Sequence, residues 1–127
     1  MPNVRLDIVL ISTADFPAML AFYTDVLGLT PIDEDPDPEL HEPGVDWAAF
    51  DAGGMRLELF GMPEAEPVER EHVAVVPAFR VEGLDAVIER LTSRGVIFTE
   101  RGREAWGAYA NLRDPDGNLL NLYEPDA

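Results

Sequence analysis

Two short runs carry polar groups that can do chemistry, in the same pattern. In Leu57-Glu58-Leu59-Phe60 a carboxylate alternates with leucine, and in Leu120-Asn121-Leu122-Tyr123 an amide does the same. A period of two puts the leucines on one face of a strand and Glu58 with Phe60, or Asn121 with Tyr123, on the other. A carboxylate so placed can hold a cation, accept hydrogen bonds or act as an acid or base, whereas an amide only hydrogen-bonds. Trp47, Trp106 and Tyr109 add flat rings that stack aromatic molecules and cations. The candidate ligand-contacting residues are therefore Trp106, Glu58, Asn121, Trp47, Phe60, Tyr109 and Tyr123. For each ring, packing in a core or an interface is the competing role. Arg56, two residues before Glu58, either pairs with it or leaves it open to a ligand.

Other chemistries lack their residues. There is no cysteine, so disulfides, thiolate ligands and cysteine nucleophiles are out. No Ser/His/Asp arrangement stands at a recognisable spacing, and Gly53-Gly54 reads as a hairpin turn, not a phosphate cradle. The two histidines, His41 and His72, are isolated and read as solvated surface residues. The acidic segments lack the alternating ligands of a calcium loop. No residue is assigned a catalytic role, and no metal or cofactor is expected.

The 127 residues carry a net charge of −16, from 25 acidic and 9 basic side chains. That field repels nucleic acid and anionic lipid, attracts cations and favours solubility. No apolar run is long enough to span a membrane, and the apolar stretch Ile8–Ile11 is too short for a signal peptide. A cytoplasmic location is expected.

Positioning the candidate residues falls to a repeated order of elements. Arg5–Ser12 reads as a buried strand. Thr13 or Asp15 can cap a helix over Phe16–Val26, with Pro17 in its first turn and Gly28 closing it. A short strand, Leu29–Ile32, precedes an acidic, proline-rich loop over Asp33–Asp46. Trp47–Ala52 and Met55–Phe60 form a hairpin across Gly53-Gly54. Met62–Glu71 is a second acidic segment. Strand Val73–Val81, helix Leu84–Arg94 closed by Gly95, strand Val96–Thr99 and a final hairpin then follow. That hairpin turns at Asp114-Pro115-Asp116-Gly117-Asn118, where Pro115 presets φ and Gly117 takes a positive φ. The halves align with Ile8 on Val76, Asp15 on Gly83, Gly28 on Gly95, Gly54 on Gly117, and Leu57–Phe60 on Leu120–Tyr123.

The chain resembles the vicinal oxygen chelate superfamily, which includes glyoxalase I, bleomycin-resistance proteins and extradiol dioxygenases. The resemblance rests on Asp15, Phe22-Tyr23-Thr24-Asp25-Val26-Leu27-Gly28-Leu29, Phe79-Arg80-Val81 and Arg113-Asp114-Pro115-Asp116-Gly117-Asn118. It implies an α+β fold of two tandem βαβββ modules whose curved mixed sheets enclose a cleft, usually in a homodimer. One domain over residues 1–127 is expected, with module 1 at about 3–61, a linker at 62–72 and module 2 at about 73–125.

The family's metalloenzymes take ligands from the first and fourth strands of each module. Those positions here are Ile8, Glu58, Val76 and Asn121, of which only Glu58 is a competent ligand. The resemblance is thus nearest to the metal-free bleomycin-resistance branch, which also shares a Trp-Gly pair, here Trp106-Gly107, before the turn. It implies a small-molecule-binding protein that sequesters a cationic or aromatic antibiotic. The alternative is a lyase, isomerase or dioxygenase with an atypical site around Glu58.

Overall fold

The computed structural model describes residues 4–33, 44–64 and 75–127. The chain divides into two compact units, Met1–Glu66 and Pro67–Ala127. Each contains one α-helix and one four-stranded mixed sheet, giving an α+β fold of two modules.

In the first unit the elements are β1 (Ile8–Thr13), α1 (Phe16–Ala21), β2 (Thr30–Pro31), β3 (Trp47–Asp51) and β4 (Arg56–Gly61). The sheet order is β1-β4-β3-β2, with β1 parallel to β4 and the other pairs antiparallel. Leu57 and Leu59 point into the core with Met19, Tyr23 and Phe50, and all five are buried. The hairpin closes where the Ala52 N–H donates to the Met55 carbonyl at 2.8 Å, with Gly53 and Gly54 both at positive φ.

The single helix expected over Phe16–Val26 has two parts. Asp15 caps α1 by accepting the Ala18 N–H at 3.3 Å. After Ala21 the backbone widens into one π-turn, Phe22–Val26, in which the Leu27 N–H reaches the Phe22 carbonyl at 2.8 Å. Consecutive residues of an α-helix point about 100° apart, so two adjacent bulky rings compete for one core face. The wider turn accommodates both: Phe22 and Tyr23 are buried, edge to face, with centroids 5.2 Å apart.

In the second unit the elements are β5 (Ala78–Arg80), α2 (Leu84–Ser93), β6 (Phe98–Glu104), β7 (Gly107–Arg113) and β8 (Leu119–Pro125). The order is β5-β8-β7-β6, with β5 parallel to β8. Leu84, Ile88 and Leu91 of α2 are buried, as are Ala110, Leu112, Leu120 and Leu122 of the sheet.

Two strands differ from the sequence expectation. The strand placed over Val73–Val81 is confined to Ala78–Arg80 among the described residues; 73 and 74 lie outside them. Pro77 has no N–H for a ladder, and only its carbonyl is used, by the Asn121 N–H at 2.9 Å. The strand placed over Val96–Thr99 instead starts at Phe98 and runs to Glu104. Its charged residues hide the strand in the sequence but suit the edge of a sheet.

The β7–β8 turn is organised by the buried carboxylate of Asp114. Its Oδ1 accepts the Asp116 and Asn118 N–H groups at 3.0 and 2.9 Å, and its Oδ2 accepts the Asn118 side-chain amide at 2.9 Å. Gly117 takes φ +90° as expected. The motif that carries much of the resemblance therefore has a structural duty.

Candidate functional site

The first unit carries a cavity of about 550 Å³ on the sheet face opposite α1. Ile8 and Leu10 of β1, Trp47 of β3, and Glu58 and Phe60 of β4 line it, with Met62 at its margin. Alternation in β4 explains the split, because Leu57 and Leu59 enter the core while Glu58 and Phe60 face the cavity. Leu10, 63% exposed, stands beside Glu58 in the β1–β4 register.

Glu58 itself is only 2% exposed. Its Oε1 accepts the Trp47 indole N–H at 2.9 Å, and its Oε2 pairs with Arg56 Nε at 3.2 Å. The choice left open by the sequence is thereby resolved in geometry: Arg56 pairs with Glu58 along the strand. A buried charge needs such partners, and here both oxygens have one.

In the second unit, Tyr109, Asn111, Asn121 and Tyr123 share the sheet face away from α2. Asn111 stands opposite Asn121, and Tyr109 opposite Tyr123. The Asn121 amide donates to Asn111 Oδ1 at 2.8 Å, and the Asn111 amide reaches Glu100 Oε2 at 3.5 Å. The Tyr109 hydroxyl donates to Glu100 Oε1 at 2.9 Å. That bond raises the Tyr109 phenol above its ordinary pKa, with burial and the negative charges of Glu100 and Glu104 adding in the same direction. Trp106, 49% exposed, meets Tyr123 edge-on at 6.1 Å.

Gly102 and Gly107 fix this face sterically. A Cβ at 102 would lie 2.5 Å from the Tyr109 hydroxyl oxygen, and a Cβ at 107 would run into the Glu124 carbonyl. Tyr109 therefore lies over Gly102, its cross-strand partner, and glycine follows Trp106 because β7 starts hard against β8.

The predicted residues thus fall into two groups, each within its own unit: Trp47, Glu58 and Phe60 in the first, Trp106, Tyr109, Asn121 and Tyr123 in the second. Glu100 and Asn111 belong to the second group and were missed. The alternation of Glu100, Gly102 and Glu104 against Arg101 and Arg103 is the signal that could have found Glu100.

The family-derived metal positions do not suit a divalent ion. Ile8 and Val76 have no donor, and Val76 precedes β5, leaving Ala78 beside Asn121. Glu58 already accepts from Trp47 and Arg56, and the Asn121 amide serves Asn111. Among the described residues no three His, Cys, Asp or Glu side chains gather as a metal site. His41 and His72 lie outside the described residues. No described helix is long and apolar enough to cross a membrane.

Two βαβββ units in tandem, each with an exposed sheet face bearing polar and aromatic groups, define a class of paired-module proteins. Residues 5–122 match the Glyoxalase/Bleomycin resistance protein/Dioxygenase superfamily, and the chain belongs to it. It is 32% identical over 122 residues to the uncharacterized protein YraH of Bacillus subtilis strain 168, covering 87% of this chain and 90% of that one. Its fold is similar to a glyoxalase/dioxygenase from Nostoc punctiforme, with TM-score 0.81, 23% identity and coverage of 97% and 92%. A lactoylglutathione lyase from Agrobacterium tumefaciens is also similar, with TM-score 0.70, 22% identity and coverage of 98% and 96%.

Proposed function

We propose that this chain is a metal-independent small-molecule-binding protein of the superfamily, sequestering an aromatic or cationic compound such as an antibiotic. The cavity of the first unit supports this reading most directly. Its walls are mostly apolar and aromatic, and of the two carboxylates that line it Glu58 is engaged by Trp47 and Arg56 while Glu64 is exposed. Such a cavity suits a flat apolar ligand stacked on Trp47 and Phe60. Acid–base turnover at Glu58 would instead call for one of its oxygens to be open to substrate. Cytoplasmic location, a homodimer and modules joined by a linker at 62–72 complete the proposal.

Calorimetry and thermal melting test it together. Titration with Zn²⁺, Mn²⁺ or Ni²⁺ should give no stoichiometric tight binding. A screen of bleomycin-type compounds and cationic aromatics should find one that raises Tm by several degrees, since a ligand at 100 times its Kd stabilises by roughly 2.7 kcal/mol. Trp47→Ala should weaken that binding tenfold or more. Tight stoichiometric metal binding, or turnover of a substrate that Glu58→Gln abolishes, would overturn the proposal in favour of the enzyme reading.

A further inference from the structure

β6 is the outermost strand of the second unit's sheet, and among the described residues it pairs only with β7. Past a register shift between Phe98 and Glu100, the stretch Glu100–Glu104 runs regularly against β7. Its outward N–H and C=O groups meet no strand among those residues, and such an edge is the template on which an extended chain adds. No proline interrupts the stretch, and every residue of it except Gly102 is exposed.

The charges along this edge are sorted by face. Glu100 and Glu104 flank Gly102 on the side of Tyr109, whereas Arg101 and Arg103 stand on the side of α2. The helix packs chiefly on β7 and β8. A groove of about 310 Å³ is left beside β6, lined by Leu84, Ile88 and Ala108 together with both arginines. A strand added to β6 would send alternate side chains toward that groove. The arginines hold exposed counter-charges there, Asp85 at 3.7 Å and Asp126 at 3.0 Å. Exposed pairs of this kind are weak, so an incoming carboxylate can replace them, and a guanidinium grips it through two parallel N–H bonds.

Charges on an edge strand guard it against pairing, and sorted charges guard it selectively. Residues opposite one another in an antiparallel pair lie on the same face. A second copy of β6, added antiparallel about a two-fold axis, would set Glu beside Glu and Arg beside Arg, which repels. A strand sorted the other way meets attraction on both faces. We propose that the edge Glu100–Glu104 is a docking site for an extended segment of a partner protein that carries basic residues on one face and acidic residues on the other. Its basic side chains meet Glu100 and Glu104, and its acidic side chains meet Arg101 and Arg103. The surface belongs to the second unit alone and does not depend on the small-molecule reading of the first.

The probes are two end-blocked peptides, Thr-Lys-Glu-Val-Glu-Lys-Thr and Thr-Glu-Lys-Val-Lys-Glu-Thr. They share one composition and carry no net charge, so the acidic field of the whole chain acts on both alike. The first matches both glutamates and both arginines of the edge. A third peptide replaces its valine by proline, which keeps the charges and removes a backbone donor. In a nitrogen–proton correlation spectrum the first peptide should shift the β6 amide signals saturably and slow their hydrogen exchange at least threefold. The second should bind at least threefold more weakly, because sliding along the edge recovers only part of its charge pairs. The proline peptide should lose as much. Arg101→Gln combined with Arg103→Gln should weaken the first peptide at least threefold with an unchanged circular dichroism spectrum, while Arg5→Gln in the first unit stays within twofold. Equal affinity for the first two peptides overturns the proposal on the unmodified protein alone, as does undiminished binding of the proline peptide. Shifts that leave β6 untouched also overturn it. Protection of β6 amides that grows with protein concentration and without peptide overturns it in favour of a second copy.

Discussion

Trp47 and Glu58 lie on neighbouring strands, diagonal in the register, and the indole N–H of one meets the buried carboxylate of the other at 2.9 Å. The contact gives Trp47 two duties, since the ring that lines the cavity also holds the charge at its floor. Trp47→Phe keeps a ring but removes a donor from a buried carboxylate. It should lower stability by about 1–3 kcal/mol, the cost of a lost hydrogen bond to such a group. Urea unfolding followed by circular dichroism measures this, and an unchanged midpoint would count against the bond.

Glu124 supplies a pH-dependent contribution. From β8 it accepts the N–H groups of Gly83 and Leu84, at 2.6 and 2.9 Å, at the start of α2. These two bonds, the Leu84 one foremost, hold its carboxyl below the ordinary value of 4.5. A folded-state pKa below the unfolded one means that the stabilisation is fully present above the unfolded value and is lost as pH falls through the folded one. Glu124→Gln should therefore melt below the unmodified protein at neutral pH. The gap should close progressively below about pH 4.5, where protonation of Glu124 makes the two alike. Melting curves from pH 7 to pH 3 check the direction, and a gap that widens in acid would be the wrong sign.

Asp114 makes the final turn. Asp114→Ala removes the acceptor for two backbone N–H groups and one side-chain amide together. The expected loss is about 2–3 kcal/mol, because the donors sit where solvent replaces the bonds poorly. Asp114→Asn, which retains one carbonyl oxygen, should fall between the two in urea midpoint.

Tyr109 and Glu100 predict a titration. The Tyr109 phenol should titrate above its ordinary 10.0, and Glu100→Gln should bring it back toward that value by removing the principal cause. Gly102→Ala should do the same by a steric route, because the added methyl occupies the place of the Tyr109 hydroxyl. Ultraviolet absorbance of the phenolate follows both. A phenol unmoved by either change would show that the Glu100 bond does not persist in solution.

Much of this was legible in the sequence, for identifiable reasons. Periodicity placed both helices and separated Leu57, Leu59, Leu120 and Leu122 from the residues between them, because burial of one strand face writes itself directly into the pattern. The turn at Pro115–Gly117 was legible because only a few residues suit its dihedral angles. Phe22 and Tyr23 fall inside the expected helix, yet the π-turn that accommodates them leaves no composition signal. Glu100 escaped because a charged edge strand reads like a loop. The bond from the Gly83 N–H to Glu124 escaped because 41 residues separate its partners and no local pattern links them.

The helix caps also bear on how the two halves have diverged. In the first module Asp15 caps its own helix, and Gly61 occupies the far end of β4. In the second, the matching positions are Gly83 and Glu124, and the duty has passed from the helix start to the strand. The two carboxylates are thus alternative solutions to one problem, each paired with a glycine at the other's position. Exchange of β1 and the helix between modules, joined at Gly28 and Gly95, would give one hybrid two carboxylates at the helix start and the other none. Each helix start is thus matched to the far strand of its own module, Asp15 with Gly61 and Gly83 with Glu124.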